Sequence, residues 1–312
     1  MPKPRLVVIG SMNMDIVVET KQVPEKGETV LGQKVSFVPG GKGANQAVAC
    51  ARLGAETSII GAVGDDAFGS QLLNSLEEND VDISGVKKVG GTSSGAASIY
   101  LSEGDNRIVV IPGANERLTP DDIDENEDKL VCCDVVLLQL EIPIETVVYA
   151  AKKAKSYGKT VLLNPAPAQP LPDEIFSNID IFTPNETELI SYTGLDKGKD
   201  SLEVGMKELR MKGVNHIVTT LGEKGSAYLN ESDQVEYESG YQVTVVDTTG
   251  AGDAFNGALG FAIGEGKKIR EALEYASLVS AIAVTKFGAQ GGMPTEAEIQ
   301  AFALEGNKLK DT

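Results

Sequence analysis

The chain opens on an uninterrupted apolar run, Leu6-Val7-Val8-Ile9, that stops at Gly10. A run without polar alternation marks a strand buried on both faces, as in a parallel sheet. Two shorter β-prone stretches follow at 15–19 and 34–38, with Pro24 and Gly27 between them as turn formers. Residues 44–53 are small and apolar at helical spacing, and Gly54 stands where a glycine commonly ends a helix. A β-like run at 58–62 precedes Leu72, Leu73 and Leu76, which share one helical face. Residues 96–101 and 107–111 flank Ser102-Glu103-Gly104-Asp105-Asn106, two β-prone arms around a turn and so a hairpin.

From Asp134 the pattern alternates. Strands are expected at 135–140, 160–163, 179–182, 216–220 and 242–246, and helices at 146–156, 186–192, 254–263 and 269–284. This alternation predicts an α/β fold, a mostly parallel, doubly wound sheet flanked by helices. The early β pieces do not fit the alternation. They predict a small β-sheet lid built from two excursions, about 12–38 and 92–111, out of a single large α/β domain over 1–312. An apolar lid face needs covering, partly by ligand and partly by another subunit, so a homodimer through paired lids is expected.

Charge narrows the partners. The 312 residues carry 28 Lys and Arg against 46 Asp and Glu, a net −18, with no long basic run. Such a surface repels nucleic acid and anionic membranes. An anionic ligand must then be held locally, by backbone N–H groups, helix N-termini, a placed lysine or a bound cation. The site is expected to be a local positive exception, with Lys42 and a helix N-terminus as its sources. Cys50, Cys132 and Cys133 with the single His216 do not form zinc-site spacing and read as reduced thiols. The N-terminal apolar run is far shorter than a signal core or a membrane span, so a soluble, cytoplasmic protein is expected.

Five stretches carry candidate chemistry. Asp247-Thr248-Thr249-Gly250-Ala251-Gly252-Asp253 is expected to follow a strand and open a helix. Its glycines let backbone N–H groups approach an anion, and the helix start adds partial positive charge. A carboxylate, Asp253, beside that anion hole is the equipment of phosphoryl transfer. The alternative is an acidic residue at an ordinary helix start. Gly40-Gly41-Lys42-Gly43-Ala44-Asn45-Gln46 is a second glycine-rich turn into a helix. It is neither a P-loop nor a dinucleotide fingerprint, since Gln46 stands where Gly or Ala is required. Gly10-Ser11-Met12-Asn13-Met14-Asp15 leaves the first strand, where open parallel sheets bind ligands. Asn13 and Asp15 project to one side of an extended backbone and suit sugar hydroxyls, or else form an Asx turn. Thr183-Pro184-Asn185-Glu186-Thr187-Glu188 reads as a capping box, compatible with a magnesium–water role for Glu188. Thr219-Thr220-Leu221-Gly222-Glu223-Lys224-Gly225 is a strand entering a turn, suited to a hairpin or to a nucleotide.

In this order the stretches resemble the ribokinase-like family of sugar kinases. Leu140-Glu141, Asn164-Pro165-Ala166-Pro167-Ala168 and residues 285–294 add to the resemblance, which runs from Val7 to about Pro294. It implies ATP-dependent phosphorylation of the 5-hydroxyl of D-ribose, giving D-ribose 5-phosphate and ADP in ribose catabolism. It implies Asp253 as catalytic base and Gly250, Ala251 and Gly252 as the anion hole. Asn13, Met14, Asp15, Gly41, Lys42, Gly43, Asn45 and Glu141 match sugar positions, together with Asp253. Asn185, Thr220, Leu221, Gly222, Gly225, Gly252 and Ser277 match ATP positions. Asp247, Thr249, Ala283, Lys286, Gly288 and Gly292 match a potassium site, with Lys286 offering its carbonyl, and Glu188 a Mg2+ network. Two positions depart from the family pattern. Ser277 replaces an Asn or His beside the adenine, and Gly292 replaces a hydroxyl-bearing residue in the cation shell.

The competing acceptors are deoxyribose, fructose and adenosine. A nucleoside needs an apolar, often aromatic slot, and only 5% of residues are aromatic, with no Trp. A non-catalytic sugar- or nucleotide-binding relative is opposed by the retained Asp253 and glycines, and a dehydrogenase by the missing fingerprint.

Overall fold

A computed structural model describes residues 2–102, 105–196, 198 and 201–304. Its strands, in chain order, are β1 (Arg5–Ile9), β2 (Asn13–Thr20), β3 (Gly32–Gly40), β4 (Glu56–Gly64), β5 (Val81–Val89), β6 (Gly95–Ser102), β7 (Asp105–Ile111), β8 (Val135–Leu138), β9 (Thr160–Leu163), β10 (Ile181–Phe182), β11 (His216–Thr220), β12 (Gly225–Leu229) and β13 (Val235–Ser239). Nine form one sheet in the order β13-β12-β11-β10-β9-β8-β1-β4-β5. From β5 to β11 the pairings are parallel, and β12 and β13 add an antiparallel edge.

The continuous apolar run of β1 is explained by its place in the middle. Leu6 and Val8 pack into one buried cluster with the helices Lys42–Arg52, Ala67–Glu77, Ala251–Gly264 and Ile269–Ala283. Val7 and Ile9 point to the opposite cluster, with the helices Ile144–Ser156 and Ser201–Met211. Successive side chains of a strand face opposite ways, so a sheet with helices on both faces needs every position apolar.

The sheet winds outward from β1 through β4 to β5, then returns to β8 on the other side of β1. The strand order therefore reverses between β1 and β8, and ligands of open parallel sheets bind in the crevice at such a reversal. The second sheet, β3-β2-β6-β7, grows from this point, because β2 starts four residues after β1 ends. It is mixed: β2 pairs in parallel with β6 and antiparallel with β3, and β6 with β7. Glu103 and Gly104, at the tip expected between β6 and β7, lie outside the described residues.

The expected strand at 242–246 does not exist. The chain there joins no ladder, and Val245 and Val246 are exposed. The N–H groups of Val246 and Asp247 donate instead to the carbonyl of Val284. A β-branched run is a strand only if another strand pairs with it, and none of the described strands does. The glycine-rich loop at 247 thus follows an unpaired segment. No helix among the described residues is long and apolar enough to cross a membrane. Cys50 and Cys133 are buried, Cys132 is exposed, and all three are free thiols.

Candidate active site

The crevice between β1 and β8 is closed by a carboxylate. Oε2 of Glu141 accepts from Ser11 Oγ at 2.6 Å, Asn13 Nδ2 at 3.2 Å and the Lys42 N–H at 3.3 Å. These donors come from the chain leaving β1 and from the start of the helix Lys42–Arg52. That helix start lies directly on the loop after β1. A Cβ on Gly43 would sit 2.6 Å from the Gly10 carbonyl carbon and the Ser11 nitrogen. One on Gly41 would sit 2.6 Å from the Asn13 nitrogen. The glycines are needed for this contact between backbones. Asn13 is oriented in turn by the buried Asn115, whose Nδ2 donates to Asn13 Oδ1 at 2.8 Å while its Oδ1 accepts from the Met12 N–H at 3.0 Å. Met14 is fully buried in the apolar core, so its side chain is not part of any polar pocket.

Asp253 is buried in the first turn of the helix Ala251–Gly264. Its Oδ2 accepts from Asn45 Nδ2 at 2.9 Å, and its Oδ1 from Gln46 Nε2 at 3.1 Å. The cap of the same helix is Gly250, whose φ of 78° lies in the left-handed region that favours glycine. A Cβ on Gly252 would meet nothing within 4 Å. The Ala251 N–H donates to the Thr248 carbonyl at 3.2 Å, while the Gly252 N–H lies beside open space with a carboxylate at its rim, and an anion fits at this helix start.

On the far side of that space, Asn185 caps the helix Glu186–Thr193 in a reciprocal box with Glu188, each N–H to carboxylate or amide contact 2.8 Å long. An isolated bridge joins Asn185 to Thr220, which brings the ends of β10 and β11 together. A tight one-turn helix, Gly222–Lys224, flanked by Leu221 and Gly225, joins β11 to β12, so the hairpin reading is observed there. Ser277, on the helix Ile269–Ala283, is buried with no hydrogen-bond partner for its Oγ. One turn on, Ser280 Oγ donates to the Ala251 carbonyl at 2.9 Å, so this helix supports the anion-hole turn.

The remaining group lies behind the glycine turn. Asp247 Oδ1 accepts from Thr249 N and Oγ1, and its Oδ2 from the Gly288 N–H at 2.9 Å. The Gly292 N–H donates to the Gly288 carbonyl at 2.8 Å, and a Cβ on Gly292 would lie 2.6 Å from the Ala283 carbonyl oxygen. The Lys286 ammonium is turned away to Glu298, which leaves its carbonyl as its only contribution here. The donors gathered are a carboxylate, a hydroxyl and carbonyls, all oxygen, the set that suits a hard cation. No three His, Cys, Asp or Glu side chains among the described residues come together as a metal site.

The expectation of a positive site is corrected. Burial alone would lower Lys42, yet Asp253, Glu141, Glu188 and Asp15 outweigh it and hold the ammonium above the ordinary lysine value. Four carboxylates thus face one lysine. Asp15 is pushed up to about 7, by burial first, then by Glu141 and Asp253, with Lys42 opposing. Glu188 is raised by burial, against its bond from the Asn185 N–H and the charge of Lys42. Lys42 and the helix start are positive contributions among these carboxylates, which can accept from hydroxyls.

Ser11, Asn115, Gln139 and Asn164 were not singled out for roles by the sequence. Ser11 and Asn164 lie inside motifs, whereas Asn115 and Gln139 are lone amides with no local signal. The fold makes them visible by burying each with polar partners.

The pfkB family carbohydrate kinase pattern matches residues 3–296. The chain is similar to the ribokinase of Bacillus subtilis (strain 168), 43% identical over 295 residues covering 95% of this chain and 98% of that protein. It is also similar to the deoxyribokinase of Salmonella typhimurium (strain LT2), 39% identical over 300 residues covering 95% and 98%. Among solved structures, Arabidopsis thaliana ribokinase complexed with ribose and ATP superposes with a TM-score of 0.89 at 34% identity, covering 96% of this chain and 98% of that one. The chain belongs to the pfkB family of carbohydrate kinases and is an ATP-dependent sugar kinase with the ribokinase-like fold.

Proposed function

We propose that this pfkB-family kinase phosphorylates the 5-hydroxyl of D-ribose, with Asp253 as the base. The observation that carries the reading is the single crevice in which Asp253, Glu141, Asn13 and Asp15 meet the open helix start at Gly250–Gly252. Ribose lies against Asn13, Asp15, Gly41, Gly43, Asn45 and Glu141, whose free Oε1 accepts from a hydroxyl. Met14 contributes backbone alone. ATP lies over Asn185, Thr220, Leu221, Gly222, Gly225 and Ser277, with its γ-phosphate at the helix start. Asp253 takes the proton of the 5-hydroxyl as that oxygen attacks the γ-phosphorus. The bond from the γ-phosphorus to the bridging oxygen breaks, and ADP leaves. The N–H groups of residues 250–252 stabilise the charge on the moving phosphoryl. Asp253 accepts bonds on both oxygens yet keeps lone pairs for the incoming hydroxyl.

Glu188 would take part in a Mg2+–water network through the oxygen that the helix cap leaves free. When bound, Mg2+ offsets phosphate charge. Potassium fits the oxygen donors of Asp247, Thr249 and the loop Ala283–Gly292, where its charge would offset the surrounding carboxylates. The lid sheet exposes Val35, Phe37, Ile108, Val109, Val110 and Ile111, and we assign part of this apolar surface to a second subunit. Three free thiols suit the reducing cytoplasm.

The test is ADP release with ATP and Mg2+ over ribose, deoxyribose, fructose and adenosine, in potassium or sodium, for the wild type and Asp253→Asn. Ribose is expected to be fastest, potassium to help, and the variant to lose at least about 10²-fold in kcat, the scale of one general base. Faster turnover of deoxyribose would move the acceptor assignment toward the Salmonella relative. Undiminished Asp253→Asn turnover would remove the base assignment.

A further inference from the structure

Beneath Asp253 lies a chain of buried amides. Gln46 is fully buried. Its Nε2 donates to Asp253 Oδ1 at 3.1 Å and to Asn164 Oδ1 at 3.2 Å. Its Oε1 accepts from Gln139 Nε2 at 2.6 Å. Gln139 is itself fully buried, with its Oε1 against Gly10, where a Cβ would be 2.0 Å away, and that oxygen has no hydrogen-bond partner. Asn164 Nδ2 donates to the Thr183 carbonyl at 3.3 Å, Thr183 Oγ1 to Asn256 Oδ1 at 2.6 Å, and Asn256 Nδ2 to the Gly252 carbonyl at 2.8 Å. The chain of bonds starts after β8, crosses the ends of β9 and β10, and returns to the turn that carries Asp253.

We infer that Gln46 is a positioning residue for the base, locked by Gln139 so that only its N–H edge faces Asp253. The inference rests on the reading of Asp253 as that base. The physical argument is one of fixed polarity. An amide that turned over would set its oxygen against a carboxylate and against the Asn164 oxygen. The Gln139 donor prevents this by claiming the Gln46 oxygen. Asn45, the other donor to Asp253, has an unpartnered Oδ1 and stands at the sugar pocket, so its contact is shared with substrate. The Gln46 contact holds one carboxylate oxygen, leaving the other edge toward the hydroxyl.

The test is Gln46→Met, which keeps length and apolar bulk and removes the donor. Steady-state kcat and KM are measured beside the wild type, Asp253→Asn and Gln139→Met, each against its folded fraction. Gln46→Met is expected to lower kcat about 10-fold, the scale of one hydrogen bond to a charged group, and to keep both KM values within about 2-fold, as for an interaction realised in the transition state. Gln139→Met is expected to lower kcat by less, and it is read in place of Gln46→Met if that variant does not fold. A loss that only follows the folded fraction, or one that appears in KM with kcat unchanged, would overturn the role of Gln46. Full activity of Asp253→Asn would instead overturn the base assignment beneath it.

Discussion

On the side of Asp253 that faces Glu141, the side chains are already tied to one another, leaving Glu141 Oε1 and Asn45 Oδ1 for a ligand. Glu141 Oε2 holds three donors, Asn13 is fixed by Asn115, and Asp253 accepts from two amides. On the side that faces Ser277, the surfaces are open. Gly252 and Gly222 have no neighbour within Cβ contact range, Val245 and Val246 are exposed, and the Ser277 hydroxyl has no partner. The proposed sugar half is therefore built in advance, and the proposed nucleotide half is a rim that the ligand completes. A small sugar offers few atoms, so the protein must supply prepaid order; a nucleotide brings phosphates and a base that need mainly donors and space.

The sharpest way to break this contrast is a single methyl. Gly43→Ala forces a Cβ to within 2.6 Å of backbone on the loop after β1, where no flexible side chain can yield. Overpacking of this kind costs roughly 1–3 kcal/mol, and the loss is expected in thermal unfolding together with a large rise in the KM for sugar. Gly252→Ala places the same methyl in open space inside a helix. Alanine is favoured there by up to about 1 kcal/mol, so stability is expected to hold or rise while turnover falls, because the methyl enters the proposed phosphate space. Equal destabilisation of the two variants would erase the distinction.

A smaller effect separates the halves by pH. With Asp15 pushed up to about 7, the folded state holds a proton there that the unfolded chain, at the ordinary aspartate value of 3.8, has released. Its contribution to stability is therefore present at low pH and declines as pH rises from about 4 through about 7. Denaturant unfolding of wild type against Asp15→Asn between pH 5 and 8 is expected to show the wild type losing ground as pH rises. Saturating ribose should flatten the difference, since hydroxyl donors favour the ionised form. A difference independent of pH would show that Asp15 is ionised throughout.

The smallest expected effect is at Ser277. Ser277→Ala removes a buried hydroxyl that has no partner, so unfolding should be unchanged or slightly favoured against. A hydroxyl completed by nucleotide is expected to raise the KM for ATP roughly 2- to 10-fold when deleted, the range of one ordinary hydrogen bond, with the KM for sugar untouched. An unchanged KM for ATP would remove Ser277 from the nucleotide half.

Much of this molecule was legible in the order of its residues. The unbroken apolar run of β1, the strand–helix alternation after Asp134 and the glycine punctuation are local consequences of burial on two faces and of backbone sterics, so they can be read locally. The capping box at Asn185 and Glu188 was legible for the same reason, as its partners lie three residues apart. The motif glycines marked where backbone approaches backbone, without saying which backbone. The strand expected at 242–246 failed because β-branched residues state a preference that only pairing with another strand can satisfy, and the chain makes no such pairing there.

What the tertiary structure alone decided is the set of partners. Asn115 meets Asn13 from 102 positions away, and Gln46 meets Asp253 from 207. A lone buried amide has no periodicity or spacing to betray it, and its meaning is fixed by the group it is buried against. The same holds for charge. The sequence fixes a surplus of carboxylates, but only the reversal of strand order between β1 and β8 brings four of them around Lys42 and lifts Asp15 to about 7. Short-range sterics and burial act along the chain and leave a pattern in it. Electrostatics and hydrogen bonding across the crevice act between segments that the fold alone makes neighbours.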